Sequence, residues 1–225
     1  MCGRYAISHT AGDLQSLFDV VNPEDFSVEP RYNVAPTQLV PMVFRNREGE
    51  RSAGNARWGL IPGWVKSPGE WKASTFNARS EEAGSKPTFR NAFRRGRVLI
   101  PASGFYEWKR EGSSKTPYHI RKKSGEPLAF AGLMDIWRDR ESGERLVSCT
   151  ILTTASAGPV EELHNRMPVM VAKEEFDTWL SGDDPETALK EVLAKAPLDD
   201  IELYPVSPAV NNTRNDDPSF VTPLA

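Results

Sequence analysis

The sequence holds little from which a crosslinked or metal-held fold could be built: two cysteines, Cys2 and Cys149, and three histidines in 225 residues. Two cysteines do not make the disulfide framework of a small secreted domain, although counting alone leaves a Cys2–Cys149 bridge open in an oxidising setting. No run approaches the roughly 20 apolar residues that cross a bilayer. The opening MCGRYAISHT has neither a basic n-region nor an apolar core of signal-peptide length. These absences predict a cytoplasmic protein, or one of a comparable reducing compartment, with no membrane partner. There is no glycine-rich phosphate loop, internal repeat, low-complexity tract or domain linker. One domain spanning residues 2–225 is expected, because a chain of this length buries most of its apolar surface without staples.

What is present is a dense series of short strand signals: LVPMVF, ARWGL, RVLIP, GFYEW, PYHIR, LAFAGLM, RLVSCTILTT, PVMV and IELYPV, set apart by Gly, Pro, Ser and charged residues. Regular strand-helix alternation is missing, so the pattern predicts an α+β fold with a mostly antiparallel, barrel-like central sheet and peripheral helices. Thr10 and Asp13 form a capping box ahead of Leu14, Leu17, Phe18 and Val21 at helical spacing. Further helices are expected in KPTFRNAFRR, PVEEL, EEFDTWL and DPETALKEVLAKA, the last with Asp184 as N-cap and Pro185 at N1. GERSAGN and Ser67 to Gly69 read as loops, and the proline-rich tail after Asn211 as an extended strap or a frayed end. Cys149, in an apolar strand, reads as a buried structural residue. Trp58, Trp64 and Trp137 read as core, and Trp179 as part of its helix.

The net charge of −3 excludes a wholesale basic protein, yet its distribution is uneven. Asn77 to Lys123 carries 12 Lys or Arg against 4 acidic residues, whereas Lys173 to Glu202 carries 10 acidic residues against 3 lysines. A local anion-binding face on an acidic chain is compatible with this split, as is an ordinary solvated surface.

Cys2 has chemistry that an internal cysteine lacks. Removal of Met1 before this small residue leaves an α-amine and a thiol on adjacent carbons, with reference pKa values near about 7.7 and about 8.5. Toward an amide, the thiol would be the nucleophile and the amine the base. Toward an aldehyde, the amine forms a Schiff base and the thiol closes a five-membered thiazolidine without a cofactor. By composition alone Cys2 is equally an incidental second residue.

The motifs CGRYA, RYNVAPTQ, RWGLIPGW, TFNARSE, RVLIPASGFYEWK, AGLMDIW, ELHNRMPV and VSPAVNN, in that order along nearly the whole chain, resemble those of the SRAP family, the SOS response-associated peptidases that process abasic sites in DNA. The resemblance implies an α+β fold with a positively charged cleft for single-stranded DNA. It also implies covalent capture of the ring-opened abasic aldehyde by the N-terminal cysteine, with associated lyase, crosslink-reversal and autoproteolytic Met1-removal activities. Such a protein belongs to DNA repair and the SOS response. It is expected to be a monomer, nucleoid-associated when bound, acting on abasic single strands including junctions with duplex.

By the same resemblance Cys2 is the crosslinking residue, Asn77 positions it, Glu107 is the catalytic carboxylate and His164 opens the deoxyribose ring. Each type suits its task. A neutral amide holds an amine without competing for its proton, a carboxylate shuttles protons, and an imidazole transfers them in either direction near neutrality. Taken as bare sequence, Asn77 is a loop residue suited to a turn or cap, and Glu107 an exposed strand residue. Arg4 and Arg79 match residues near the lesion phosphates, and Arg166 either joins them or holds the site's shell. Trp71 and Trp108 are candidates for base stacking, or simply core. Asn33 and Pro36 would line the Cys2 pocket. His119 reads as a sheet residue and His9 as a surface residue, which leaves no compact Cys/His cluster and predicts no metal or cofactor. The chain reads PASGFYEW where the family often has PADGFYEW, placing Ser103 at the aspartate position. Two other readings stay open here: an N-terminal cysteine amidohydrolase, and a binding surface for which Cys2 is incidental.

Overall fold

The structure is a computed structural model in which residues 2–26, 29–112 and 114–224 are described. Its strands are β1 Tyr5–Ile7, β2 Arg31–Val34, β3 Leu39–Arg45, β4 Arg51–Trp58, β5 Asn77–Arg79, β6 Arg97–Ala102, β7 Gly104–Glu111, β8 Ser114–Lys122, β9 Leu128–Arg138, β10 Arg145–Ala155, β11 Arg166–Pro168 and β12 Ile201–Pro205. The helices are α1 Ala11–Phe18, α2 Ser80–Ala83, α3 Arg90–Arg95, α4 Phe176–Ser181 and α5 Pro185–Ala194.

Strands β10, β4, β3, β6 and β9 pair in sequence, and β9 pairs back onto β10, so the sheet closes into the expected barrel. Closure removes the unpaired edges that an open sheet would expose. One seam is parallel, Ser148↔Arg57 and Cys149↔Trp58, whereas the β9 seam is antiparallel along Arg145↔Arg138 to Ile151↔Gly132. Beyond the ring, β10 continues and receives β5 in parallel and β11 antiparallel on its far half. A second, antiparallel sheet has the order β12-β8-β7-β1-β2.

The two sheets meet where β6 passes into β7 through Ser103. Its N–H donates to the Ala6 carbonyl at 2.7 Å, and its Oγ accepts from the N–H of Ser8 at 2.7 Å and of His9 at 3.3 Å. His9 Nε2–H donates to the Gly125 carbonyl at 2.9 Å, which leaves Nδ1 to accept from the Ser103 hydroxyl at 2.6 Å. The serine that departs from the family pattern thus ties the end of β1 to the sheet corner.

The barrel core is aliphatic and aromatic. Tyr5 packs edge-on against Trp58 at 5.3 Å and Phe130 at 6.2 Å between ring centroids, and Trp58 Nε1 donates to the Phe76 carbonyl at 2.8 Å. Outside the barrel, α4 is fixed by Trp179, whose Nε1 donates to Val98 O at 2.8 Å while Arg97 Nε donates to Trp179 O at 2.6 Å. A smaller cluster of Ala6, Tyr106, Val206, Val210 and Phe220 binds the C-terminal segment to the outer face of the second sheet. His119 is buried in β8 with Nδ1 at 3.1 Å from the Tyr204 hydroxyl, and burial drives its pKa down to about 3.

Several sequence expectations hold in detail. Thr10 and Asp13 form the capping box of α1, and Asp184 caps α5 with Pro185 in its first turn. Others are corrected. Val21 lies past the left-handed C-cap at Asp19 and is exposed rather than on the helical stripe. GERSAGN is no loop from Arg51 onward but the first half of β4, because small residues there pack inside the ring. KPTFRNAFRR is α-helical only over Arg90–Arg95, and PVEEL lies in a 3-10 helix, Gly158–Glu162. Of PVMV only Pro168 belongs to a strand, with Met170 bridging Phe130. Trp64 is 57% exposed and so stands outside the core. The tail neither frays nor extends: it forms 3-10 turns, Pro208–Asn211 and Pro218–Val221, around buried Val210 and Phe220.

Phe220 is therefore the anchor of the tail. Phe220→Ala is expected to lower unfolding stability by about 3 kcal/mol, read as a reduced urea midpoint, with faster amide exchange concentrated in residues 206–224.

Candidate functional site

The site forms where β1 begins. The antiparallel pair Tyr5↔Phe105 and the Tyr106 N–H donated to Arg4 O at 3.0 Å set the register. Arg4, Gly3 and Cys2 precede that pairing, and Cys2 lies close enough to Glu107 for the carboxylate to act on its thiol. Cys2 is fully buried and free of any disulfide. Burial raises its thiol pKa well above the ordinary value, and the nearby Glu107 charge raises it further, so the sulfur rests as S–H.

Glu107 is buried, not exposed as a bare strand residue would be. Burial holds its carboxyl above the usual carboxylate range. His164 follows the 3-10 turn, its N–H donated to Val160 O at 3.2 Å. Its Nδ1 accepts the Arg166 N–H at 2.9 Å, which assigns the ring proton of the neutral imidazole to Nε2. Burial lowers the His164 pKa, so this ring is neutral at pH 7. Glu107, Trp108, Arg110, Lys115, His164 and Asn211 line one hollow of about 370 Å³.

Asn77 opens strand β5 rather than sitting in a loop. It lies opposite Ile151, to whose carbonyl its Nδ2 donates at 3.5 Å, and its Oδ1 is buried with no hydrogen-bond partner among the described residues. Arg79, two residues on, is exposed opposite Thr153. Arg166 reaches the same Thr153, donating from Nη2 to its carbonyl at 2.5 Å, and grips Glu81 with both guanidinium ends at 2.6 and 2.9 Å. This fork pulls the Glu81 pKa from 4.5 to about 2.

Arg4 is likewise engaged: Nη1 donates to Asn33 Oδ1 and to Val210 O, each at 2.7 Å, with the guanidinium 6.0 Å from the Trp108 ring. Asn33 is buried and its Nδ2 faces the carbonyls of Val210, Asn212 and Asn215 at 3.3, 3.0 and 2.7 Å. Trp108 Nε1 donates to Asn211 Oδ1 at 2.7 Å. The N-terminal strand, the indole and the tail are thus braced together.

Neither Asn33 nor Pro36 lines the Glu107–His164 hollow. Pro36 and Trp71 flank a separate hollow of about 140 Å³ with Thr37, Trp58 and Phe76. Trp71 is met edge-on by the exposed Trp64 at 5.6 Å. Arg110, Lys115 and Asn211 are the site residues that sequence reasoning passed over. The signals were there: Asn211 stands in VSPAVNN, and both cations in the basic stretch. Cys149 faces the core and burial pushes its thiol up to about 12. Among the described residues no group of three or more His, Cys, Asp or Glu is placed to hold a metal, and no helix is long and apolar enough to cross a membrane.

The profile of the family described as SOS response associated peptidase (SRAP) matches residues 1–213. The chain belongs to the SRAP family. It is 38% identical over 226 residues to the abasic site processing protein YoqW of Bacillus subtilis, covering 98% of this chain and 99% of YoqW. It is 30% identical over 230 residues to the abasic site processing protein YedK of Escherichia coli, over the full length of both. Among solved structures, a protein from Bacteroides thetaiotaomicron superposes with a TM-score of 0.86 at 26% identity over the whole of both chains. The SRAP fold, a closed and mostly antiparallel barrel with peripheral helices, is therefore the frame on which Cys2, Glu107 and His164 are set.

The Glu81–Arg166 fork gives a pH test of how the His164 loop is held. A folded pKa of about 2 against an ordinary 4.5 means that the bridge stabilises the fold above about pH 4.5 and is lost as pH falls toward 2. Glu81→Gln is expected to flatten the fall in urea stability between pH 5 and 3, roughly, relative to the parent chain.

Proposed function

We propose that this protein binds single-stranded DNA without base preference and forms a covalent thiazolidine between Cys2 and the ring-opened aldehyde of an abasic site, shielding the strand. The observation that carries this reading is that buried Cys2 lies within reach of the charge of buried Glu107, which lines one hollow together with His164.

The steps balance without a cofactor. His164 is suited to relay a proton through Nε2: Nε2–H goes to the ring oxygen while Nε2 takes the hemiacetal hydroxyl proton, so the imidazole ends neutral as it began and the sugar opens to its aldehyde. The Cys2 α-amine, free once Met1 is gone, adds to C1′. The carbinolamine takes a proton from Glu107 and loses water to give a protonated imine. The Cys2 sulfur then bonds C1′ while its proton returns to the Glu107 carboxylate, leaving a neutral thiazolidine N–H and Glu107 as the acid it began as. One water is released overall. Met1 lies outside the described residues, and its autoproteolytic removal is part of the proposal.

At the imine stage the same carboxylate can take the C2′ proton, so that the 3′ phosphate leaves by β-elimination, and it can return a proton to the thiazolidine nitrogen in reversal. Asn77, with its unpartnered Oδ1, is proposed to orient the amine and the sugar. Arg79 offers an exposed guanidinium to phosphate, while Arg4 and Arg166 act through the braces they make. Trp108 and Trp71, with Pro36, are proposed as base contacts flanking the lesion. The proposed protein acts as a monomer in the cytoplasm, nucleoid-associated when bound, and accepts junctions with duplex.

A peptidase or amidase acting on other substrates needs a thiolate nucleophile. Burial and the Glu107 charge both hold the Cys2 sulfur as S–H, which disfavours that reading.

The decisive experiment incubates the purified protein with single-stranded DNA bearing one abasic site, followed by a denaturing gel and intact-mass spectrometry. The wild type is expected to give an adduct, absent with undamaged DNA and absent in Cys2→Ala. A wild type shown to lack Met1 that still gives no adduct sinks the reading. Glu107→Gln is expected to slow adduct formation on the order of 100-fold. Because burial raises the Glu107 pKa and the step draws on its proton, the limb on which the wild-type rate falls with rising pH should lie above the ordinary carboxylate value of 4.5 and vanish in that variant. A chain that retains Met1 should form no closed adduct although every side chain is intact.

A further inference from the structure

Arg110 and Lys115 face each other directly across the β7–β8 hairpin, one pair before its last, Glu111↔Ser114. Like charges in this position repel, with side chains only about 5 Å apart at Cβ. The hairpin neutralises its other cations: Lys109 lies 3.2 Å from Glu111, and Arg121 lies 2.8 Å from Glu202. Arg110 and Lys115 are exposed, form no ion pair among the described residues, and line the hollow with Glu107, Trp108 and His164. The arginines that the family resemblance points to are differently placed: Arg4 and Arg166 commit their donors to Asn33, Val210, Glu81 and Thr153. Uncommitted positive charge at this mouth therefore belongs to the hairpin.

We infer that Arg110 and Lys115 form a two-cation clamp for one phosphodiester of the bound single strand, beside the nucleotide that enters the hollow. The cross-strand spacing lets both heads reach one phosphate. A fork of donors and a point charge then hold its two free oxygens. The anion relieves a repulsion already present in the free protein, so part of the binding free energy comes from the hairpin itself. The clamp deepens the proposed DNA reading and rests on it for the identity of the anion.

The test measures anisotropy of a labelled, undamaged single-stranded oligonucleotide across a salt series, with the abasic crosslinking assay run on the same preparations. The Arg110→Gln/Lys115→Gln double variant is expected to bind more weakly at low salt. Its slope of log K against log salt should be shallower by about 0.7, the contribution of one phosphate contact on a single strand. Lys109→Gln, whose ammonium is already paired with Glu111, should keep the wild-type slope. Arg110→Lys/Lys115→Arg should keep it too. Removing a repelling pair should leave the urea midpoint of the double variant equal to or above the wild type, so a fallen midpoint overturns the premise of unpaired cations. An unchanged slope and affinity in the double variant overturns the clamp. Failure of the wild type to crosslink abasic DNA would instead overturn the reading of the site, with the salt slope still deciding the clamp.

Discussion

Everything chemical in this molecule hangs on the pairing of a three-residue strand, Tyr5–Ile7, with the start of β7. A strand that short has little stability of its own, and Tyr5 supplies what the ladder cannot. Its ring is wedged against Trp58 and Phe130 inside the barrel, and Ser103 fastens the residues that follow. With both flanks of β1 held, Cys2 has no freedom to drift from Glu107. Register here does the work that a cofactor or metal does elsewhere, bringing two reactive groups of distant sequence together. Burial then acts on both in the same direction, favouring the thiol over the thiolate and the carboxylic acid over the carboxylate. Two groups that each resist charge suit steps in which a proton is handed on rather than a charge separated.

Around this pair the arginines divide by what their donors meet. Arg4 and Arg166 lie among fixed acceptors and act as braces, one tying the first strand to the tail, the other tying α2 to the loop that carries His164. A guanidinium in such a network orders its surroundings through several directional bonds at once. Arg79, Arg110 and Lys115 keep exposed heads. The same residue types thus serve as scaffold and as cationic surface, and only the positions of their partners tell them apart.

That distinction marks the limit of what the sequence discloses. The barrel was legible because its strands are long, apolar and punctuated, and the caps of α1 and α5 because Thr10, Asp13, Asp184 and Pro185 are local signals. Strands β1, β2 and β5 carry no such signal: they are three or four residues long and owe their existence to partners far away in the chain. Asn33 and Asn77 lie in β2 and β5, and Cys2 and Arg4 stand just before β1. Burial of Glu107 was equally unreadable from GFYEW, since alternation assigns a face but not which face is covered. Trp64 and Trp71 illustrate the converse. Aromatic content suggested core for Trp64, and yet the loop between β4 and β5 leaves its ring in the open beside its neighbour's.

Asn33 bonds a carbonyl that lies 177 positions further along the chain. The brace beside Cys2 is therefore completed by a segment synthesised long after it. Until residues 206–224 emerge and Phe220 docks, a nascent chain carries Cys2 without the architecture around it. Order of synthesis thus becomes a timer: Cys2 gains its braced surroundings only once residues 206–224 have been made.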